Sequence, residues 1–430
     1  MLDFDPLKLA ILLSFCGLTI AGVFRVFGAS ERIAISFALV GFFLYSGLAA
    51  ATVEAPDYLL VSYCIFGAAL LLGFSSGALF FASLSERIVC FSMKKIEGYD
   101  SSSLWKLFLA LFFALHVLKL AFPEFKLWMV FAPPAPDIKS WFLARMEVEP
   151  HAFTKAVDYA QILLTPFFYW SLYALRRKIG LVVGVLFLNL YFGYVFDGYL
   201  GRGKFVFTLI VLSVFIWSVR PRLRVWLVIV MMSLFPVLLI ALQAYSSIRL
   251  GLDFRPVALF EAAEYIYLSE FSFLINTGVP LIESGETADL SKYFGWLVSL
   301  PIPGFLKSGI DVTLINYEIS EIVLNKAVGQ AGFYVVLPGL LGESYYIYGS
   351  NFYWLHGIFL GVVLSVYTAL LGRVKQFIAI YAYVIAVFFY TLNRGGVASS
   401  LPLIVNGFLL FFVYVFLPYF FVKAKGRGAG

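Results

Sequence analysis

Charge is scarce in this sequence. Only 13% of its 430 residues are Asp, Glu, Lys or Arg, where a soluble domain carries about a quarter. That scarcity excludes an ordinary water-facing surface. Cysteine is scarcer still. Cys16, Cys64 and Cys90 lie in or beside apolar runs, with no paired spacing and no histidine near them at ligand spacing, so they read as packing residues. The alternating pattern of a membrane β-barrel is missing. The G-x-x-x-x-G-K-[ST] spacing of a phosphate loop is missing too, which argues against a nucleotide site. No internal repeat, low-complexity tract or separate soluble domain appears. The first residues, "MLDFDPLKLA", lack a basic stretch, so the first apolar run is expected to stay as a helix and not be cleaved as a signal.

What the chain does have is apolar length. It is 62% hydrophobic, and its mean hydropathy is +0.93. A membrane-crossing helix needs roughly 20 apolar residues. Many segments meet that, so the expected fold is all-α, a polytopic helical bundle in a membrane. We expect eleven spans, near 8–24, 33–50, 58–82, 104–121, 157–175, 179–196, 204–219, 225–242, 351–371, 376–391 and 401–422. The whole chain reads as one membrane domain with two long loops on one side, 122–156 and 243–350. The larger loop has helical apolar periodicity from Val257 to Leu274, which predicts a helix along the membrane face. Apolar pieces within 256–282 and 333–348 are too short to span and suit interfacial or re-entrant segments.

Basic residues set the orientation. Sixteen of the 31 fall in short connections that eleven spans place on one side, among them Arg25, Arg32, Arg87, Arg176, Arg220, Arg373 and Lys423. That side is cytoplasmic, the C-terminus is inside and the N-terminus outside. Five cations then sit on the outer side against the rule: Arg202 and Lys204 in "FDGYLGRGKFVF", Arg249 and Arg255 in "SIRLGLDFRP", and Arg394 in "TLNRGGVASS". Each lies close to the outer end of a span, where a cation is costly unless paired or used. A lone one reads equally well as a snorkelling residue. Three connections doing it together, each with local glycines, point to an anion site. Arginine grips phosphate bidentately, and glycine leaves backbone amides accessible.

Few carboxylates face those cations. Glu343, in "LPGLLGESYYIYGSNFYWLHG", enters an apolar run and needs a partner; it is the first candidate for a general base, with Asp197 second. Tyr345, Tyr346 and His356 are candidate sugar contacts, although tyrosines near a span also form ordinary interfacial belts. His116, alone in an apolar helix, reads as a packing residue. Asp3 and Asp5 in "LDFDP" have a D-x-D spacing, but ahead of Pro6 a helix-entry role is the better reading. No metal site and no cofactor are expected.

At these residues the second half of the chain, about 185–420, resembles the bacterial oligosaccharide repeat-unit polymerases, the Wzy-type or O-antigen polymerase family. The resemblance is carried by "GYLGRGKFVF", by the G-E-x-Y-like stretch at Glu343 followed by a long helix, and by the late "NRGG". The family's N-F-G-like turn is only approximated by "IYGSNF". The resemblance implies a glycosyltransferase of the bacterial inner membrane. It would join polyprenyl-diphosphate-linked oligosaccharides into surface polysaccharide (O-antigen, capsule or exopolysaccharide) on the periplasmic face. It also implies diphosphate contacts at Arg202, Arg249, Arg255 and Arg394, and a role for Glu343. Its expected partners are the lipid-linked glycan, the bilayer, a chain-length regulator and a flippase, with no nucleic acid. A glycosyl diphosphate is already activated, so the transfer is expected to need no metal. O-antigen ligase and a flippase for the same lipid are the competing readings.

Overall fold

Helix entry follows the sequence closely at the first residues. Asp5 accepts hydrogen bonds from the amides of Leu7 (2.8 Å) and Lys8 (3.1 Å). Pro6 fills the first helical position, where a missing N–H is harmless. The helix-entry reading of "LDFDP" therefore holds. The computed structural model describes residues 3–101, 103–122, 126–132, 152–197, 202–249, 257–302, 315–330 and 332–417. Apart from one isolated bridge between Phe4 and Thr52, they form no β-structure.

The helices are α1 (Pro6–Val26), α2 (Ala29–Ala50), α3 (Asp57–Ser101), α4 (Leu104–Leu118), α5 (Ala152–Ala174), α6 (Ile179–Asp197), α7 (Arg202–Val219) and α8 (Arg224–Arg249). The large loop holds α9 (Leu259–Glu270), α10 (Val279–Glu283), α11 (Leu290–Ser299) and α12 (Ile315–Leu324). The chain ends with α13 (Gly339–Leu371), α14 (Ile378–Ala386) and α15 (Asn393–Val415). Among the described residues, eight helical runs are long and apolar enough to cross a membrane. The remaining expected spans coincide with α5, with the shorter apolar helix Gly203–Val219, and with the second half of the run Lys375–Val415. This is an all-α polytopic membrane bundle. Its lipid-facing side is plain in α8, where Val225, Met232, Phe235 and Val237 stand exposed. Such apolar faces have no place in water.

Two runs reverse on themselves at glycines in the left-handed region. α13 turns back at Gly349 (φ 72°). Ser344 Oγ and His356 Nδ1 are 2.9 Å apart although twelve positions separate them, so residues 339–348 run antiparallel to the helix that follows. The expected re-entrant piece is this arm. The second reversal is at Gly396 (φ 68°). There Tyr383 lies 6.2 Å from Phe408, and Phe377 lies 5.3 Å from Phe411. α14 and α15 are thus the two arms of a hairpin, and "NRGG" is its tip. Every residue of α14 but Ile378 is buried, which makes it the central strut of the bundle.

The closest helix packing went unforeseen. α3 and α13 cross through Gly73 and Gly77 on one side and Gly357, Gly361 and Ser365 on the other. A Cβ on Gly357 would stand 2.9 Å from the Phe66 carbonyl oxygen, and one on Gly361 would stand 2.6 Å from the Phe74 nitrogen. Small residues at four-residue spacing let two backbones touch, which is the main source of helix affinity where lipid removes the hydrophobic drive.

Ion pairs lie at both ends of the bundle. At one end Arg373 reaches both Glu31 and Glu86 (3.3 Å each), and Arg220 donates to the Arg177 carbonyl (2.8 Å). The opposite end holds Lys8–Asp57 (2.8 Å), Lys119–Asp158 (2.6 Å) and Arg394–Glu270 (3.0 Å). α9 covers the middle of the helix expected over Val257–Leu274, and Glu270 is its last residue. Lys423, Lys425 and Arg427 lie outside the described residues.

Candidate functional site

The end without the basic excess opens into a cavity of about 640 Å³. Each wall follows from local sequence. α4 is almost wholly apolar until its last turn, where His116 and then Lys119 appear. α5 begins polar and contributes Asp158, Gln161 and Thr165. α6 adds Asn189 and Gly193, and α7 adds Gly203, Lys204 and Thr208. A π-helical turn, Val387–Leu392, carries Tyr390 and Thr391 into the wall, followed by Arg394. Such wide turns displace the helix register and recur at functional sites.

Three cations therefore meet at one cavity from three separate places in the chain: Lys119, Lys204 and Arg394. Two carboxylates accompany them, Asp158 and Glu270. Lys119 is buried and held by Asp158, whose side chain is half exposed. Arg394 is one-third exposed, and its Nε pairs with the buried Glu270. Its guanidinium also lies over the rings of Phe273 (5.1 Å) and Tyr390 (5.8 Å). The planar cation is thereby fixed on both edge and face. Loop helix α9 and the "NRGG" tip are joined at this contact.

Gly203 of "GRGK" and Gly396 of "NRGG" do different work from that expected. A Cβ on Gly203 would run into the Tyr390 ring, so this glycine admits an aromatic neighbour and not a ligand. A Cβ on Gly396 would occupy the space of the Glu343 carboxylate. That carboxylate accepts from the amides of Val397 (2.6 Å) and Ala398 (3.3 Å). Glu343 is thus the N-terminal cap of the second hairpin arm, supplied by a residue some fifty positions away. It is 1% exposed and does not line the cavity. An apolar run entered by a carboxylate did need a partner, and the partner is backbone. The carboxylate faces those amides and not the cavity wall.

Tyr345, Tyr346 and His356 also belong to the α13 hairpin and not to the cavity wall. Tyr345 bonds Ser62 (2.5 Å) and stacks on Tyr353 (4.3 Å). Tyr346 donates to Glu318 (3.2 Å), and His356 is fully buried against Ser344. Tyr345 and His356 lock the hairpin, and Tyr346 ties it to α12. Asp197 closes α6, Arg202 opens α7 and Arg249 closes α8, while their side chains lie outside the described part of the structure. Arg255 is outside the described residues altogether. Arg202 does adjoin Gly203, which lines the cavity.

Sequence reasoning thus found Lys204 and Arg394, and missed Lys119, Asp158, His116 and the pairing of Glu270. Lys119 alone reads as a snorkelling residue. Its one available signal was Asp158 at the facing end of the next span. Among the described residues no three His, Cys, Asp or Glu side chains cluster to hold a metal. No family model matches the chain, and no curated protein or solved structure matches it.

Proposed function

We propose that this protein is a membrane glycosyltransferase that joins polyprenyl-diphosphate-linked oligosaccharide repeat units into a surface polysaccharide. The single observation behind this reading is the meeting of Lys119, Lys204 and Arg394 at one cavity, at the end of the bundle that lacks the basic excess. By the positive-inside rule that end is periplasmic in a bacterial inner membrane, and the C-terminus is cytoplasmic. A lipid diphosphate at the outer boundary supplies the anion that such a cluster neutralises.

The chemistry then assigns roles. An acceptor hydroxyl of one repeat unit attacks the anomeric carbon of another. The bond from that carbon to the diphosphate oxygen breaks, and the polyprenyl diphosphate leaves with the electron pair. Negative charge grows on the leaving oxygens, and pre-positioned cations in a site poor in water stabilise it; one such donor is worth about 3 kcal/mol. The acceptor proton passes to a carboxylate at the cavity. Asp158 fits this part, being half exposed and oriented by Lys119.

The decisive experiment deletes the gene and examines the cell's glycan. A polymerase leaves single repeat units on their normal carrier or core. Full-length glycan retained on polyprenyl diphosphate points to the ligase, and loss of all surface glycan points to the flippase. Complementation with Lys204→Ala is expected to reproduce the deletion at normal protein level. Full-length glycan from that variant would sink the cation-cluster reading.

A further inference from the structure

The cavity changes character with depth. Along α5, Asp158 stands at the mouth and Thr165 seven residues further in, about 10 Å at the helical rise of 1.5 Å per residue. Along the hairpin, Arg394 stands at the mouth and Tyr383 eleven residues deeper, about 16 Å by the same rise. The rim carries the charges. Below it the polar side chains are neutral: Gln161, Thr165, Asn189 and Thr208, with His116 beside them.

His116 is the least expected of these. It is 6% exposed, inside a helix that is otherwise apolar over this stretch. Phe192 (5.5 Å) and Phe196 (5.8 Å), whose own rings are 5.9 Å apart, both lie near-parallel to it at 17°, and Phe112 meets it edge-on at 5.5 Å. Neither ring nitrogen makes a well-formed hydrogen bond among the described residues, although the Asn189 amide is close by. The Gln161 Nε2 is likewise buried without a partner. Thr165 donates its hydroxyl to the Gln161 carbonyl (2.8 Å) and so keeps oxygen lone pairs as acceptors.

The donor and acceptor balance selects the occupant. A phosphate wants donors only and belongs with the rim. An acyl or prenyl chain would leave every one of these polar groups unpaired, which buried groups do not tolerate. Hydroxyl groups both donate and accept, and they match amides, imidazole and threonine together. We propose that His116, Gln161 and Asn189 form a subsite for the sugar ring joined directly to the diphosphate. The inference rests on the diphosphate reading of the rim. It adds that the enzyme selects the first sugar, and not merely the charged carrier.

The test uses the full-length protein in lipid nanodiscs and two kinds of probe. One is bare polyprenyl diphosphate. The other is a panel of polyprenyl diphosphates carrying glucose, galactose, N-acetylglucosamine or N-acetylgalactosamine. The parent protein is expected to bind at least one sugar-bearing lipid about tenfold more tightly than the bare one, a difference of about 1.4 kcal/mol. His116→Phe, which keeps the aromatic stack, and Asn189→Leu are expected to abolish that preference. Their affinity for bare lipid should stay within about twofold of the parent, which also shows that they fold. A preference that survives in both variants overturns the subsite. So does a parent protein with no preference, in which the floor holds only water. If bare lipid fails to bind the parent, or binds Lys204→Ala equally well, the rim reading fails and this one falls with it.

Discussion

Replacing Gly396 with alanine should damage this protein far more than its size implies. Gly396 has φ 68° and ψ −165°, a combination essentially confined to glycine that costs another residue roughly 1–3 kcal/mol. The new Cβ would also take the space of the Glu343 carboxylate. Glu343 would have to leave the amides of Val397 and Ala398, which it meets at 2.6 and 3.3 Å. Leaving those buried amides without their acceptor costs about 1–3 kcal/mol. The two effects together give a loss of about 2–6 kcal/mol, at the least roughly a thirtyfold change in the folded-to-unfolded ratio. Unfolding by sodium dodecyl sulfate in mixed micelles reads this directly. Gly184→Ala is the control: nothing lies within 4 Å of its added Cβ, so a change under about 0.5 kcal/mol is expected. If Gly396→Ala unfolds within about 0.5 kcal/mol of the parent, the account of Glu343 as a cap is wrong.

Three further outcomes follow from the same geometry. Glu343→Gln should lower stability while leaving turnover within about tenfold of the parent; a general base would instead cost 10²–10⁴ in kcat at unchanged stability, roughly the range seen for acid–base groups. Arg394→Lys keeps the charge but loses the planar stack on Phe273 and Tyr390 and the aligned pair with Glu270, so glycan polymerisation in cells should fall at least about tenfold at normal protein level; unchanged chain length would remove Arg394 from the site. Gly361→Val puts two methyl groups against the backbone of Leu70 and Phe74, and the α3–α13 crossing should fail, seen as loss of folded protein on gel filtration in detergent.

Much of the fold was legible because the membrane imposes a simple rule. A spanning segment must satisfy its own backbone, so apolar length alone locates α1, α2, α4 and α6 to within a few residues. Legibility ended where contacts between segments decide the outcome. The span expected to end at 82 continues as one helix to Ser101 beyond the apolar stretch. Nothing in hydropathy marks that continuation, since polar residues such as Glu86 and Lys94 are good helix formers. The glycines at 73, 77, 357 and 361 carried a four-residue spacing that was present to be read. Their meaning depends on two helices nearly 300 positions apart lying together.

The site divides along the same line. Lys204 and Arg394 were visible because each breaks a rule about which side cations occupy, and a broken rule needs no knowledge of the partner. Lys119 breaks the same rule less visibly, at the very end of a span, and its buried pairing with Asp158 appears only when α4 and α5 stand side by side. Glu343 shows the opposite failure. Its position in an apolar run correctly signalled an unmet need for a partner, but the sequence pointed to side chains, and the partners are amide groups that every residue but proline owns. The consequence reaches the function. A carboxylate that holds the tip of the α14–α15 hairpin fixes the residue two positions before Gly396, which is Arg394. Glu343 therefore belongs to the site through Arg394's placement. A loss of activity on mutating it, taken alone, says nothing about proton transfer until stability and turnover are measured apart.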